Sequence, residues 1–278
     1  MDRIRREAFK KATLEMKKAC EKLSKVKHKI AVLSVKGGVG KSFVTANLAV
    51  ALAIRKRSVG VFDADVHGPS IPRTLGLIGL QLYVKGENII PVEGPLGVKV
   101  ISVGFMLPDE TVAVIWRGPL KTAYIRQALA MTEWGNLDYL LIDLPPGTGD
   151  EQLTIAQLIS GLDGLLLVTL PNLLSEKIVA KAKVFAERLN VKILGVIENM
   201  SYFKCPDTGK IYYIFGKGGG LKLADEVEAP LLASIPIDPR ITETMDKGKP
   251  FVLEYPNSEV SKIILETADK IIKLLESS

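Results

Sequence analysis

Near-continuous apolar runs recur along the chain at 30–35, 58–62, 98–103, 139–142, 165–169, 193–198 and 231–235, with stretches long enough for a helix between them. The strict apolar/polar alternation of a sheet with one wet face is absent from these runs. They read instead as strands buried on both sides and joined by helical crossovers. The predicted fold is α/β, a doubly wound, mostly parallel sheet with helices on both faces. The stretch 258–278 places Val260, Ile264, Ala268, Ile271 and Leu275 at helical spacing, as a helix docked on the core would. No repeat, low-complexity tract or linker interrupts the sequence, so residues 30–278 are expected to form a single domain.

The formal net charge of +6 is unevenly placed. Residues 1–29 carry eleven Lys and Arg against four Asp and Glu, leaving 26 against 27 for the remainder of the chain. A neutral body argues against a nucleic-acid surface. Segment 1–29 is expected to be a basic helical arm in which Ile4, Phe9, Leu14, Met16 and Leu23 share one face only loosely. It reads as solvated or weakly docked, with an acidic partner as the alternative. The longest apolar run, Leu48 to Ile54, has seven residues, whereas a membrane-spanning helix takes about 20. The first 29 residues contain no signal-peptide core, so the cytoplasm is the expected location. Two cysteines, Cys20 and Cys205, make no disulfide framework.

The run at 30–35 leads into Lys36-Gly37-Gly38-Val39-Gly40-Lys41-Ser42, followed by the helix-like Phe43-Val44-Thr45-Ala46-Asn47-Leu48. Strand, glycine loop, Lys-Ser and helix in this order are what a phosphate-binding loop requires. The glycines let backbone N–H groups turn inward on an anion. Lys41 is expected to reach the β- and γ-phosphates, and Ser42 to ligate Mg²⁺. A second lysine, Lys36, precedes the first glycine pair, and a loop of this kind resembles the deviant Walker A class, which includes MinD, ParA and the nitrogenase iron protein. The resemblance implies a homodimer that sandwiches two ATP, with Lys36 crossing to the partner's nucleotide to offset charge on the transferring phosphoryl group; a solvated loop lysine is the plainer reading.

Two aspartates, Asp63 and Asp65, leave the end of the second predicted strand. Asp65 is the candidate for orienting the attacking water, and Asp63 for the Mg²⁺ shell, unless Asp63 only caps the following turn. His67, close by, reads as a solvated loop residue. Tyr139-Leu140-Leu141-Ile142-Asp143 is four apolar residues ending in an acid, a Walker B pattern in which Asp143 holds Mg²⁺ through water. In the following Pro145-Pro146-Gly147, the Gly147 N–H is placed to sense a γ-phosphate. Asn199, after the run at 193–198, is a candidate reader of the adenine edge, with an Asx turn as its rival. Pro236 and Asp238 are expected to wall the base.

Taken together, DADVHGPS at 63–70, WRGP at 116–119, LDYLLIDLPPGTGDEQLT at 137–154, ENMSYFKCP at 198–206, IFGKGGG at 214–220 and IPIDP at 235–239 closely resemble the Mrp/ApbC family of ATP-binding iron–sulfur cluster carriers. The resemblance spans about residues 28–255. It implies slow ATP turnover by a homodimer, a cluster bridging the dimer, and apo iron–sulfur clients or a scaffold as partners. The family carries Cys-x-x-Cys after NMSYF, and this chain reads Cys205-Pro206-Asp207-Thr208. A threonine hydroxyl is a hard oxygen where iron–sulfur chemistry favours thiolate. Three readings of the cluster site stay open: Cys20 swings in from the arm, an outside ligand completes a weak cluster with Cys205, or the chain is an ATP-driven switch without iron. A MinD- or ParA-like nucleotide-switched positioning ATPase is the rival to the carrier function. Arg117 reads as a residue of the dimer interface, and residues 216–220 as a flexible loop or a second phosphate nest.

Overall fold

The computed structural model describes residues 2–66, 68–106, 118–172 and 176–277. All seven apolar runs form strands of one sheet, β1 (Val26–Leu33), β2 (Val59–Asp63), β4 (Lys99–Ser102), β5 (Leu137–Asp143), β6 (Gly164–Thr169), β7 (Ile193–Glu198) and β8 (Leu231–Ser234). An eighth strand, β3 (Val92–Glu93), adds to one edge, and the spatial order is β8-β7-β6-β1-β5-β2-β4-β3. Every pairing is parallel except β3 with β4. With two residues, β3 is too short to leave a pattern in the sequence. The same holds for two small antiparallel hairpins outside the sheet, Tyr83–Lys85 with Asn88–Ile90 and Phe203–Lys204 with Ile211–Tyr212.

Both faces of the sheet are covered, and each cover is apolar. On one side lie α2 (Lys41–Ile54) and α7 (Glu259–Glu276), the latter burying Val260, Ile264, Ala268 and Ile271 as its spacing predicts. Helix α2 buries eleven of its residues, which is why its sequence is apolar nearly all round. Buried Asn47 holds it in place, donating to the Phe43 carbonyl (3.0 Å) and accepting from the Val252 N–H (3.1 Å). The other side is covered by α1 (Asp2–Leu23), α3 (Gly118–Met131), α4 (Asp150–Gln157), α5 (Glu176–Leu189) and α6 (Gly219–Glu226).

The N-terminal segment is helical, but its second half is more firmly held than its loose apolar pattern suggests. Ala19 and Leu23 are buried in the α3-side core, Arg126 Nε donates to Glu15 (2.7 Å), and Lys22 pairs with Glu133. Phe9 and Leu14 remain exposed. The docking face runs through small Ala19 and through Leu23, while Phe9 and Leu14 lie off it, so side-chain size alone misplaces the face. Strand β1 starts at Val26, ahead of the expected boundary at 30, because Val26 is buried while Lys27 faces out to Asp138.

Asp138 ties the amino ends of β1, β2 and β5 together. It accepts from Lys27 Nζ (2.7 Å) and from the Ser58 N–H and hydroxyl (2.9 and 2.8 Å). Burial works against its charge, yet these donors hold its carboxyl down at about 2. A depressed folded-state value means stability present above the unfolded value and lost as pH falls through the folded one. Asp138→Asn is therefore expected to lower stability by about 1–2 kcal/mol at neutral pH. In urea unfolding the gap to wild type should close between about pH 4 and pH 2.

Candidate active site

The phosphate loop leaves the carboxyl end of β1, the strand from which the chain first steps to one side of the sheet and later to the other, where doubly wound folds place their ligands. Gly38 and Gly40 both have left-handed backbones, with φ of 74° and 79°. At Gly40 space is also short, since a Cβ there would meet Asn199 Nδ2 at 2.3 Å. Gly40 is the N-cap of α2, no side chain caps the helix, and its first turn contains no acid. The leading N–H groups and the positive end of the helix dipole are thus left for an anion from outside the chain.

Beneath the loop, parallel register places Asp143 beside both Val32 of β1 and Asp63 of β2. Asp143 is fully buried and gathers three groups from α2: the Ser42 hydroxyl (2.6 Å), the Thr45 hydroxyl (2.8 Å) and Lys41 Nζ (2.7 Å). The Lys41 contact is an ion pair without hydrogen-bond alignment, so a buried ammonium keeps its donors for another acceptor. Thr45 was not singled out from the sequence, though it stands one helical turn after Lys41. Ser42 Oγ and an Asp143 carboxylate oxygen, two hard ligands in contact, fit Mg²⁺.

Asp63 lies behind this cluster, not on the cavity wall. Its Oδ2 accepts from the Ser102 hydroxyl (2.9 Å) and its Oδ1 from the Asp65 N–H (3.2 Å), so one oxygen holds the end of β4 and the other the loop after β2. Burial, and then the neighbouring Asp143 charge, push the Asp63 carboxyl well above its usual range, against the pull of Lys41 and Ser102. Ser102 comes from β4, and only strand pairing reveals it.

A cavity of about 610 Å³ opens above the loop. Its walls bring together Gly38, Val39, Gly40, Lys41, Ser42 and Phe43 with Asp65, Asn199, Pro236 and Asp238, residues spread over two hundred positions of chain. Asn199 is buried and donates its amide to the Val39 carbonyl (2.9 Å), so the side chain considered for reading adenine also braces the phosphate loop. Asp238 is gripped by the Arg240 guanidinium (2.6 and 2.9 Å). Burial opposes its charge, but that grip keeps the carboxyl below its usual range. Lys36 and Gly37 stand exposed outside the cavity, and Lys36 makes no side-chain hydrogen bond or ion pair among the described residues. The Gly147 N–H is already engaged, donating to the Ser34 carbonyl (2.8 Å). Gln152 braces the same loop, donating to the Pro146 carbonyl (2.6 Å) and accepting from the Gly149 N–H (3.0 Å). His67 and Arg117 fall outside the described residues.

Cys205 opens the turn of the second hairpin, its N–H donating to the Lys210 carbonyl (2.9 Å). The Thr208 hydroxyl, with the N–H groups of Thr208 and Asp207, favours the thiolate and brings the thiol below its usual range. Thr208 thus supports a thiolate from the place where a second thiolate would stand. Among the described residues no three His, Cys, Asp or Glu side chains cluster to hold a metal. Cys20 sits next to Ala19 on the docked half of α1, which removes the freedom a swinging arm would need. From the second strand of the hairpin onward, Ile211 through Phe215 form a continuous exposed apolar run. The glycines at 216–220 serve close packing: a Cβ on Gly219 would lie 2.2 Å from the Asn172 carbonyl, and the Glu198 carboxylate already accepts from the Gly220 N–H (2.6 Å). An acid in that position leaves no anion nest.

Comparison with known proteins agrees with this geometry. A family profile described as ParA, NUBPL iron-transfer P-loop NTPase, matches residues 25–272. An iron–sulfur cluster carrier protein of Saccharolobus solfataricus is 52% identical over 257 residues, covering 92% of this chain and 87% of the relative. A cytosolic Fe-S cluster assembly factor, the Nubp2 homolog of Aedes aegypti, is 44% identical, covering 90% of this chain and 98% of the relative. Among solved structures, a nucleotide-binding protein of Archaeoglobus fulgidus in complex with ADP superposes with a TM-score of 0.76 at 41% identity, covering 84% of this chain and 92% of its own. The cell-division protein MinD of Aquifex aeolicus, at 22% identity, 88% and 96% coverage and a TM-score of 0.59, shares the fold.

Proposed function

Since the chain belongs to the NUBPL iron-transfer family of ParA-type P-loop NTPases, we propose that it is a cytoplasmic ATPase that works as a homodimer and carries an iron–sulfur cluster to apo-protein clients or from a scaffold. The observation that carries this reading is the Lys41–Ser42–Asp143 cluster beneath an uncapped helix terminus, whose Lys41 and Ser42 line a cavity with a far wall that leads into the Cys205 hairpin.

The roles follow from where the groups stand. The backbone of Gly38 to Phe43 cradles the phosphates, and Lys41 turns from Asp143 to the β- and γ-phosphate oxygens. Ser42 and Asp143 hold Mg²⁺, which when bound neutralises phosphate charge. Asp65, on the cavity wall, orients the attacking water. Lys36, exposed and without a partner among the described residues, is free to reach a nucleotide across a dimer interface. Cys205, with its thiolate favoured, supplies one cluster ligand per chain.

The test is anaerobic reconstitution with iron and sulfide, read by visible absorption and by bound iron and sulfide, beside an ATP hydrolysis assay. Wild type is expected to hydrolyse ATP slowly and to gain absorption that Cys205→Ser loses. Hydrolysis without Cys205-dependent iron would instead favour an ATP-driven switch with another client, a reading that Thr208 in place of a second cysteine keeps in view. No helix among the described residues is long and apolar enough to cross a membrane.

A further inference from the structure

The segment bearing Cys205 is fastened to the cavity wall at both ends. At its start, the Ile237 N–H donates to the Tyr202 carbonyl (2.7 Å) and Phe203 pairs with Ile237 in an isolated parallel bridge. Ile237 is itself part of the cavity wall. At the other end the chain leaves the hairpin and sets Phe215 into the same wall. Beyond Phe215 the backbone is pinned, because the Gly219 N–H donates to the Pro171 carbonyl (2.9 Å) and the Gly220 N–H to Glu198. Between these anchors the hairpin is mostly exposed.

Phe43 and Phe215 both line the cavity, but Phe43 is 3% exposed and belongs to the core, whereas Phe215 is 44% exposed. An aromatic ring presented at the mouth of a phosphate-binding cavity offers a face to another planar ring. We propose that Phe215 packs against the purine base of the bound nucleotide, so that occupancy of a single chain orders the Cys205 hairpin before any hydrolysis or dimer closure. The inference rests on the nucleotide-binding part of the proposed function. A ligand can favour the ordered hairpin only by contacting it better in that state, and Phe215 supplies that contact. The link runs through the base end of the cavity, so phosphates alone do not transmit it.

Alkylation of Cys205 by iodoacetamide, resolved from Cys20 by peptide mass spectrometry, reads the hairpin directly. With the full-length protein and no iron, saturating ADP is expected to slow Cys205 modification by about fivefold, the lower end of typical coupling between sites. Cys20 should not respond. Inorganic tripolyphosphate, which fills the phosphate loop without a base, should leave the Cys205 rate unchanged. In Phe215→Ala the response to ADP should be lost at concentrations that calorimetry shows to be saturating, and Phe215→Tyr should restore it. Binding of ADP with an unresponsive Cys205, or a full response in Phe215→Ala, would overturn this inference and leave the proposed function standing. Failure to bind ADP at all would overturn both.

Discussion

Lys41→Ala is expected to cut ATP hydrolysis by about 10²–10³-fold, the usual effect of removing one charged donor aimed at the reacting phosphate. The variant has a second signature that follows from burial. In the wild-type protein Lys41 offsets two buried carboxylates, and its charge is one of the influences holding the Asp63 carboxyl down against burial and the Asp143 charge. Without it, Asp63 moves further up and the folded state prefers to bind a proton there. A folded-state value raised above the unfolded one gives stability that is present at low pH and lost as pH rises. The stability deficit of Lys41→Ala should therefore be larger at pH 8 than at pH 5 in thermal unfolding. A uniform deficit would mean that Lys41 does not govern the charge of this pair.

Thr208→Cys is expected to raise the iron held after anaerobic reconstitution toward about four per dimer, since two thiolates from each chain complete a cubane cluster. The geometry for this gain is in place: the Thr208 side chain already meets the Cys205 sulfur in the turn of a short hairpin. The substitution exchanges a hydrogen bond to one thiolate for a second soft ligand. Iron and acid-labile sulfide measured per dimer, with Cys205→Ser in the same background as control, decide it. Iron no higher than in wild type would show that the turn does not present both positions to one cluster.

Much of the site was legible because its residues are neighbours in sequence. The phosphate loop places its glycines, Lys41 and Ser42 in one run between a strand and a helix, and backbone conformation is a local property. The acid at the end of β5 was legible for a similar reason, since a carboxylate closing an apolar run is rare unless it meets a partner. The Cys205–Thr208 pair was read from spacing alone, and the turn does bring the two side chains together.

Other assignments turned on contacts between distant segments. Asp63 and Asp143 look alike at the ends of their strands, yet Asp143 gathers Lys41, Ser42 and Thr45 while Asp63 turns to Ser102. Gly147 has the residue type of a γ-phosphate sensor, but its N–H is held by Ser34. Phe215 carried no sign of a ligand contact, because its neighbours in sequence are an apolar run and a glycine stretch.

Local order along the chain thus settled the fold class, the phosphate loop and the identity of the groups able to do chemistry, since periodicity, turn preference and side-chain type all act over a few residues. The pairing of those groups awaited the tertiary structure. Sheet register sets which carboxylate stands within reach of Lys41, and burial sets how strongly they interact. Coulomb attraction and desolvation depend on separation and surroundings in space, and two residues a hundred positions apart, such as Lys41 and Asp143, acquire both only when β1 and β5 lie side by side.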